Sequence, residues 1–482
     1  MMSAGVSVEQ NNPVAQTAPR RGRVDLAIVL LLVALVIGVY ARVAGHAFIT
    51  FDDMTYIVDN PHVNTGLSWT NARWALTAGH ASNWHPLTWW SHQLDVSLFG
   101  LDAGRHHLVN VALHAVNVLL WFLVLSTMTG SRWRSAVVAA LVAVHPIHVE
   151  SVAWAAERKD VLAALFGLLA LWAYVAYVRR GGALRYLLVA LGMALSLMAK
   201  PMLVTLPALL LLVDVWPLRR GASWPRLVAE KLPLLALSVA SAIITMNVQR
   251  GEAIIRADAL PLADRLMSAT VAYGRYLEHL VWPVGLAHYY PHPPPRLCGA
   301  CMDSRRIVAS AMVPIAITVR AAAGFRRARF VMVGWLWFLG TMVPVIGIVQ
   351  VGLQGMADRY AYWPFVGLYI ALVWAAAALA QRWRFGVAVA PAGIGVCIAA
   401  LVAMAYVQAG HWKDSFTLYA HTLSVTDDNY FVHTGVGLAH ARHDAFERAI
   451  PAFEQALAIR PDFVLARTSL GKALWLTGNE DG

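Results

Sequence analysis

Charged residues and cysteines are both scarce in this sequence. Only 13% of its 482 residues are charged and 59% are hydrophobic, which is more apolar surface than a soluble domain of this size can bury. The composition therefore excludes a soluble globular protein and indicates an integral membrane protein. Of the three cysteines, Cys397 lies in an apolar run, and Cys298 and Cys301 have no second pair or nearby histidine to complete a zinc site. A disulfide between Cys298 and Cys301 and two free thiols are both left open.

Positive charge is the exception to this scarcity, because the formal net charge is +11. The arginines occur in short clusters between apolar runs rather than on one face of one element. This distribution is typical of topology signals in membrane proteins and argues against nucleic acid as a partner.

Long apolar runs dominate residues 24–407. Residues 1–23 are polar and end in an arginine cluster, which predicts a disordered cytoplasmic N-terminus. The first run extends to about residue 43, long enough to cross a ~30 Å core, and no small-residue cleavage site follows it. We interpret it as a retained span, with a cleaved signal peptide as the alternative. Further runs lie at about 108–127, 135–147, 161–178, 184–199, 202–217, 232–248, 305–321, 330–350, 363–380 and 385–407.

These runs predict an all-α, polytopic membrane protein of about eleven transmembrane helices. The arginine clusters fall in alternate connections, as the positive-inside rule requires if the N-terminus is cytoplasmic, and an odd number of spans puts the C-terminus outside. We therefore expect a bacterial inner-membrane protein with a periplasmic C-terminus. The apolar segment 266–289 would break this alternation if it crossed, so we interpret it as a re-entrant or interfacial element.

The predicted topology gathers unusual polar residues on the outer face. Asp52 and Asp53 lie in the long outer loop 44–107, and two adjacent carboxylates just beyond a span are not needed for folding. One of them can act as general base on an incoming hydroxyl while its neighbour orients it or raises its pKa by repulsion. A helix N-cap or a solvated loop pair is the structural alternative.

Cations gather in the remaining outer loops. Arg158, Lys159, Lys200 and Arg359 suit binding of a lipid-linked phosphate, because charge-assisted bonds would stabilise the leaving oxyanion. Snorkelling, capping and local ion pairs are the structural alternatives. The six histidines between residues 80 and 114 show no metal-ligand spacing, so no metal site is predicted. Further candidate site residues are His85, His148, Glu150, Glu157 and Asp358.

Residues 408–482 are less apolar and carry a helical repeat pattern. Gly471 follows Gly437 after the period of about 34 residues that tetratricopeptide repeats have, and the intervening pattern is Ala449, Phe453, Ala456 and Pro461. The pattern predicts a half repeat, one whole repeat and the first helix of another, which would stack into a concave surface for extended polypeptide. Because a stable array needs about three units, we expect this tail to be held by the membrane domain or to be truncated.

Several motifs together resemble one known family. They are Phe51-Asp52-Asp53, the segments 84–88, 145–154 and 157–160, Lys200-Pro201, Asp358-Arg359-Tyr360 and the trailing repeats. Over nearly the whole chain after residue 24, they resemble the transmembrane and tetratricopeptide-repeat-containing (TMTC) family. That family is similar in architecture to the protein O-mannosyltransferases, membrane glycosyltransferases of the GT-C class.

The resemblance implies inverting transfer of a sugar, mannose in characterised relatives, from a polyprenyl phosphate to Ser or Thr hydroxyls of a polypeptide on the outer face. Asp52 would be the base, and Asp53 would replace the Glu of the family's acidic pair. The expected partners are the lipid-linked donor, the acceptor polypeptide and membrane lipid, with no cofactor and no metal. A polytopic transporter and a non-enzymatic scaffold that binds partners through its repeats are the alternatives. Midmembrane charges and two-fold internal repeats, which are typical of transporters, are not evident in the sequence.

Overall fold

The computed structural model describes residues 18–249, 261–292, 304–348, 352–382 and 386–478. The predictions for residues 1–17 and for Cys298 and Cys301 fall outside these ranges. Helices form almost all of the described secondary structure, as predicted. The exception is a short antiparallel pairing of β1 (Tyr290–Pro291) with β2 (Gln354–Met356).

The helices follow one another through short connections. They are α1 Ala18–Tyr40, α2 Pro61–Asn64, α3 Trp69–Thr77, α4 Pro86–Phe99, α5 Ala103–Thr129, α6 Arg132–Val144, α7 Val149–Ala153, α8 Arg158–Arg180, α9 Ala183–Ala199, α10 Leu206–Val215, α11 Trp224–Ala229, α12 Leu232–Gln249, α13 Leu262–Val281, α14 Ser304–Ala323, α15 Arg329–Met342, α16 Pro364–Ala380, α17 Gly386–His411, α18 Ser415–Val425, α19 Tyr430–Arg442, α20 Phe446–Ile459 and α21 Val464–Leu476. A π-helical turn covers Met54–Val58, and 3-10 turns cover Ala41–Gly45, His80–Ser82, Pro146–His148, Ala155–Glu157, Pro201–Thr205 and Asp358–Ala361.

Five of the described helical segments are long and apolar enough to cross a membrane, or six if the bent pair of α6 and the segment Pro146–Ala153 forms one span. These lengths support a multi-pass membrane protein, whereas the predicted count of eleven is not confirmed. Several predicted spans are shorter than their apolar runs. The run at 330–350, for example, holds a helix that ends at Met342, because Pro344 has no backbone N–H with which to continue the helical hydrogen bonds. The five segments are Gly22–Gly45, Ala103–Thr129, Ala155–Arg180, Leu232–Gln249 and Val389–His411.

Small residues allow the helices of the membrane domain to approach closely. A Cβ atom on Gly334 of α15 would lie 2.3 Å from the carbonyl oxygen of Gly367 on α16. Helix association in membranes favours such small residues, because apolar side chains gain nothing over lipid.

The segment 266–289 contains most of α13, which is not among the described helices that meet the length and hydropathy of a span. Its C-terminal half instead contacts the loop before Asp358, since the Tyr276 hydroxyl donates to the Ala357 carbonyl at 2.7 Å. The chain then forms β1 against β2, next to Asp358. This arrangement brings the predicted interfacial element to the candidate site.

The C-terminal helices α18–α21 pack as successive antiparallel neighbours. A Cβ atom on Gly437 of α19 would lie 2.4 Å from the Phe453 ring of α20, so these two helices are in close contact at the glycine. The tail also binds the first outer loop, because the Tyr419 hydroxyl donates to the Thr50 carbonyl at 2.5 Å. Its assignment as tetratricopeptide repeats stays a prediction, while its contact with residues next to Asp52 bears on function.

Candidate active site

Asp52 and Asp53 follow α1 and lead into the π-helical turn, and their environments differ. Asp53 is fully buried, and its two carboxylate oxygens accept hydrogen bonds from the backbone N–H groups of Ile49 and Ala156, each at 2.8 Å. Asp53 therefore ties the first outer loop to the loop before α8. Burial raises the pKa of Asp53 to about 7, while the two backbone hydrogen bonds act in the opposite direction.

Asp52 faces an opening instead. Its side chain is 31% exposed, and its Oδ2 lies 3.7 Å from the Lys159 ammonium. Burial raises the pKa of Asp52 above its usual value, and Lys159 opposes that shift. A partly exposed carboxylate with a raised pKa is a better proton acceptor than a fully solvated one.

Three cations surround one buried carboxylate behind Asp52, and we call this group the Glu157 cluster. Glu157 Oε1 lies 3.1 Å from Lys159 Nζ and 3.3 Å from Arg359 Nε. Its Oε2 lies 3.0 Å from Lys200 Nζ. Sequence positions 157, 159, 200 and 359 are thus brought together at one point.

The cations of the Glu157 cluster are held inside the protein. The side chains of Lys159, Lys200 and Arg359 are 8%, 12% and 13% exposed, so they do not extend to solvent as snorkelling residues do. Lys200 also pairs with Asp160 at 2.6 Å, and Arg359 pairs with Glu150 at 2.5 Å. These second carboxylates fix the cations in place.

Aromatic rings complete the walls of the site. Lys159 Nζ lies 4.6 Å from the ring centroid of Tyr56, and the Arg359 guanidinium lies 5.5 Å from that of Trp154. The Trp154 ring is stacked against Phe51, the residue before the acidic pair, with centroids 5.6 Å apart. Cation–π contacts of this kind stabilise desolvated cations without adding negative charge.

His85 is a buried imidazole at the edge of this region. Burial lowers the pKa of His85 well below its usual value, and the charges of Lys159 and Lys200 act in the same direction. The ring is therefore neutral. Its Nδ1 has no hydrogen-bond partner within the part of the chain that the structure describes.

Three predicted site residues, Arg158, His148 and Asp358, are not members of the Glu157 cluster. Arg158 is fully buried and donates to Asp95 and, at 2.7 Å, to Asn110 Oδ1. His148 lies 3.0 Å from the Tyr369 hydroxyl within an aromatic group. Asp358 accepts the Tyr290 hydroxyl at 3.0 Å and so anchors β1 beside Arg359.

Sequence reasoning missed the partners that hold these groups. Asp95, the counter-ion of Arg158, and Asp160, the counter-ion of Lys200, were not chosen as site residues. A buried arginine requires a carboxylate partner, but the distance between residues 95 and 158 along the chain gives no signal of that pairing.

An open groove of about 320 Å³ lies between the acidic loop and the C-terminal helices. Asp52 lines it together with Phe51 and Met54 on one side and Phe431 and Leu465 on the other. The groove is therefore mostly apolar and has a carboxylate at one wall. Its remaining lining residues are Thr50, Thr55, Tyr419, Thr434, Gly435, Leu438 and Arg442.

A much smaller pocket, of about 10 Å³, lies beside the Glu157 cluster. Asp160 and Arg359 form its polar end, and the apolar side chains include Ala163, Leu203 and Trp363. Arg359 belongs both to this pocket and to the Glu157 cluster.

No family model matches the chain. Among curated proteins, it is 36% identical over 169 residues to Protein O-mannosyl-transferase TMTC1 of Mus musculus, which is 32% of this chain and 17% of that protein. It is 34% identical over 158 residues to Protein O-mannosyl-transferase Tmtc2 of Drosophila melanogaster, covering 31% of this chain and 17% of that protein. Protein O-mannosyl-transferase TMTC3 of Homo sapiens is 29% identical over 166 residues, 33% of this chain and 18% of that protein. The chain thus matches less than a fifth of the length of these relatives.

Proposed function

From the resemblance to the TMTC family, which the similar proteins confirm over about a third of the chain, we propose that this protein is a membrane glycosyltransferase of the GT-C type. It moves a sugar, mannose in our proposal, from a polyprenyl phosphate to Ser or Thr hydroxyls of proteins, on the periplasmic side of a bacterial inner membrane. The lipid-linked sugar is the donor substrate, and catalysis uses neither cofactor nor metal. One observation supports the proposal most strongly: Asp52 lies at the wall of an open groove and 3.7 Å from a buried cation.

The groove is the proposed site of the acceptor polypeptide. Its apolar lining suits a short extended segment, and Asp52 is the carboxylate that such a segment would meet. The contact of Tyr419 with Thr50 holds the C-terminal helices against the acidic loop, so both sides of the groove have a fixed separation. A hydroxyl placed there would lie within reach of Asp52.

The Glu157 cluster is the proposed site of the donor phosphate. Lys159 bridges Glu157 and Asp52, so its ammonium lies between the cluster and the base. Lys200 and Arg359 add to the positive charge around Glu157.

In the proposed reaction, Asp52 takes the proton from the acceptor hydroxyl as its oxygen attacks the anomeric carbon. The new glycosidic C–O bond forms while the bond from carbon to the phosphate oxygen breaks on the opposite face, which inverts the anomeric configuration. The leaving polyprenyl phosphate carries the electron pair, and Lys159 and Arg359 stabilise its negative charge. Asp53 acts as a positioning residue, because backbone amides occupy both of its oxygens.

Arg158 is not part of the proposed phosphate site. Its guanidinium is satisfied by Asp95, Asn110, Ser91 and the His106 carbonyl. We propose that it instead supports the start of α8, which carries Lys159.

The test is transfer by the purified protein from labelled polyprenyl-phosphate sugars to a Ser/Thr-rich peptide. Asp52→Asn should lower the rate by roughly 10²- to 10⁴-fold, because general-base catalysis contributes about that much. Asp102→Asn is the matched control: Asp102 lies in the same outer loop, its side chain is 48% exposed, and asparagine caps helix α5 as well as aspartate does. Full activity of Asp52→Asn would refute the assignment of the base.

The same assay separates the proposed enzyme from the other functions. Glycopeptide formation by the wild-type protein is expected and would exclude a transporter or a scaffold without catalysis. Binding of the peptide without transfer from any polyprenyl-phosphate sugar would contradict the proposed function.

A further inference from the structure

A second group of buried polar side chains lies between α4 and α5. It consists of His92, Asp95 and His106, whose side chains each place one potential ligand atom within 4.8 Å of the others. The two histidines are fully buried, and Asp95 is 3% exposed. The spacing of His92 and Asp95, three residues apart on α4, puts them on one face of that helix.

The hydrogen bonds around His106 define its tautomer. Nε2 lies 3.1 Å from the carbonyl oxygen of Gly100, and a carbonyl only accepts hydrogen bonds, so Nε2 carries the proton. In the neutral ring, Nδ1 is then a bare lone pair. It lies 3.6 Å from Asp95 Oδ2, an oxygen that also accepts from the Arg158 guanidinium.

His92 lacks hydrogen-bond partners even more completely than His106 does. Neither of its ring nitrogens has a hydrogen-bond partner among the described residues, and Nδ1 of His106 also lacks one. Buried polar atoms without partners cost about 1–3 kcal/mol each, and they commonly mark an ion or a water between the groups. The His92 and His106 rings are near neighbours, with centroids 6.0 Å apart.

We propose that His92, Asp95 and His106 bind a late first-row divalent metal ion, with zinc as the physiological candidate. Two imidazole nitrogens and one carboxylate oxygen are a known ligand set for zinc. Tetrahedral zinc sites separate their ligand atoms by about 3.4 Å, which follows from bonds of about 2.1 Å. The three donors would therefore draw together by about 1 Å when the ion binds.

The charge of Arg158 selects the kind of ion. Its guanidinium donates to Asp95 and cancels much of that carboxylate's negative charge. A hard ion such as Mg²⁺ or Ca²⁺ needs several charged oxygen ligands, whereas this group offers one carboxylate and two imidazoles. Zinc, copper and nickel bind neutral imidazole strongly, so the site should prefer them.

The proposed ion has a structural role and takes no part in sugar transfer. It would join α4 to α5 next to the side chains that enclose Arg158. The site is closed to solvent, and the acidic groove has none of its residues. The proposal is therefore independent of the proposed function.

The test is the metal content of the full-length protein purified in detergent without metal-affinity resin, measured by plasma mass spectrometry after incubation with zinc and dialysis. The wild-type chain should retain about one zinc per molecule, and His92→Asn should retain less than about a tenth of that. His107→Asn is the matched control, because His107 is also fully buried on α5 but lies outside the three ligands. Its zinc content should equal that of the wild type.

A spectroscopic measurement on the wild-type protein covers the case in which His92→Asn does not fold. Cobalt added to chelator-treated wild-type protein should give visible absorption bands of tetrahedral coordination, which excess zinc should abolish and excess Mg²⁺ should not. Absence of bound zinc and of cobalt bands in the wild-type protein would overturn the proposal and assign the space to a water molecule. Zinc retained equally by folded His92→Asn would overturn it as well.

Discussion

Two buried ion clusters in this membrane protein look alike by charge but differ in access. The Asp214 cluster, at the other end of α8, consists of Asp214, Tyr174, Arg220, Glu230 and Lys231. Asp214 accepts Tyr174 and Lys231, each at 2.6 Å, and Arg220 pairs with Glu230 at 2.5 Å. Asp214 is fully buried, and its cluster closes on itself.

The Glu157 cluster is equally well paired, but it continues to Asp52, whose side chain is 31% exposed on an open groove. Buried charges alone therefore do not distinguish a reactive site from a structural one. The difference is access: Asp52 is open to the groove, whereas Asp214 is fully buried among its partners. The following predictions test that contrast.

The largest effect on stability is expected at the closed cluster. Asp214→Asn removes the carboxylate that lies 2.6 Å from the buried ammonium of Lys231 and leaves Glu230, at 3.7 Å, as its counter-charge, so the cost should approach the roughly 3–5 kcal/mol of a broken buried ion pair. The melting temperature in detergent should fall markedly, while sugar transfer per folded molecule should stay near that of the wild type. A large loss of specific activity with an unchanged melting temperature would contradict the structural role.

Substitution of Arg359 is expected to have a smaller effect, which falls on activity rather than on stability. Arg359→Lys keeps the charge but loses the geometry that lets one guanidinium contact Glu150 and Glu157 together. Loss of charge-assisted hydrogen bonds of about 1.5–3 kcal/mol should slow transfer by about 10- to 100-fold. Single-turnover rates with saturating donor measure this change. Arg105→Lys, at an exposed position of the same protein, should have no effect.

Asp53 should affect stability in a pH-dependent way. Its pKa is about 7 in the folded protein against an ordinary value of 3.8, because burial disfavours the charged form. A raised folded pKa means that the contribution of this group favours folding most below about pH 4 and is lost as the pH rises through about 7. The melting temperature of the wild type should therefore fall relative to that of Asp53→Asn as the pH rises between these values, because the neutral carboxyl resembles the amide and only the carboxyl ionises. A constant difference would contradict the raised pKa.

The smallest effect is expected at the edge of the groove. Arg442 of α19 pairs with Asp59 of the first outer loop through two contacts of 2.9 Å, and both side chains are substantially exposed. Exposed pairs contribute about 0–1 kcal/mol, so Arg442→Ala should leave the melting temperature nearly unchanged. The KM for an acceptor peptide should rise several-fold while kcat stays constant, because Arg442 lines the proposed acceptor groove and does not contact Asp52, the proposed base. A loss of kcat without a change in KM would contradict this placement.

The sequence predicted the class of fold and the participants of the site better than their arrangement. Apolar runs predicted a helical membrane protein, because composition and length decide whether a segment can cross. They did not predict where helices end, since Pro344 and the outer-loop turns interrupt runs that remain apolar. The roles within the acidic pair also follow from contacts, because only the structure places the N–H of Ala156 on Asp53.

The sequence did not predict which charged residues pair with one another in the buried clusters. The motif around Glu157 suggested local ion pairs, and Glu157 does pair with Lys159, but it also binds Lys200 and Arg359, which are distant in sequence. Similarly, Asp214 pairs with Lys231 across a helix connection. Charge pairing over such separations depends on helix packing, which periodicity and composition do not encode.

The most direct test of the central contrast compares Asp52→Asn with Asp214→Asn in single-turnover sugar transfer, at equal amounts of folded protein. The account predicts a loss of roughly 10²- to 10⁴-fold for Asp52→Asn, with an unchanged melting temperature, and near wild-type transfer for folded Asp214→Asn. Equal transfer rates for the two variants would contradict the claim that access to the groove makes Asp52 the reactive carboxylate.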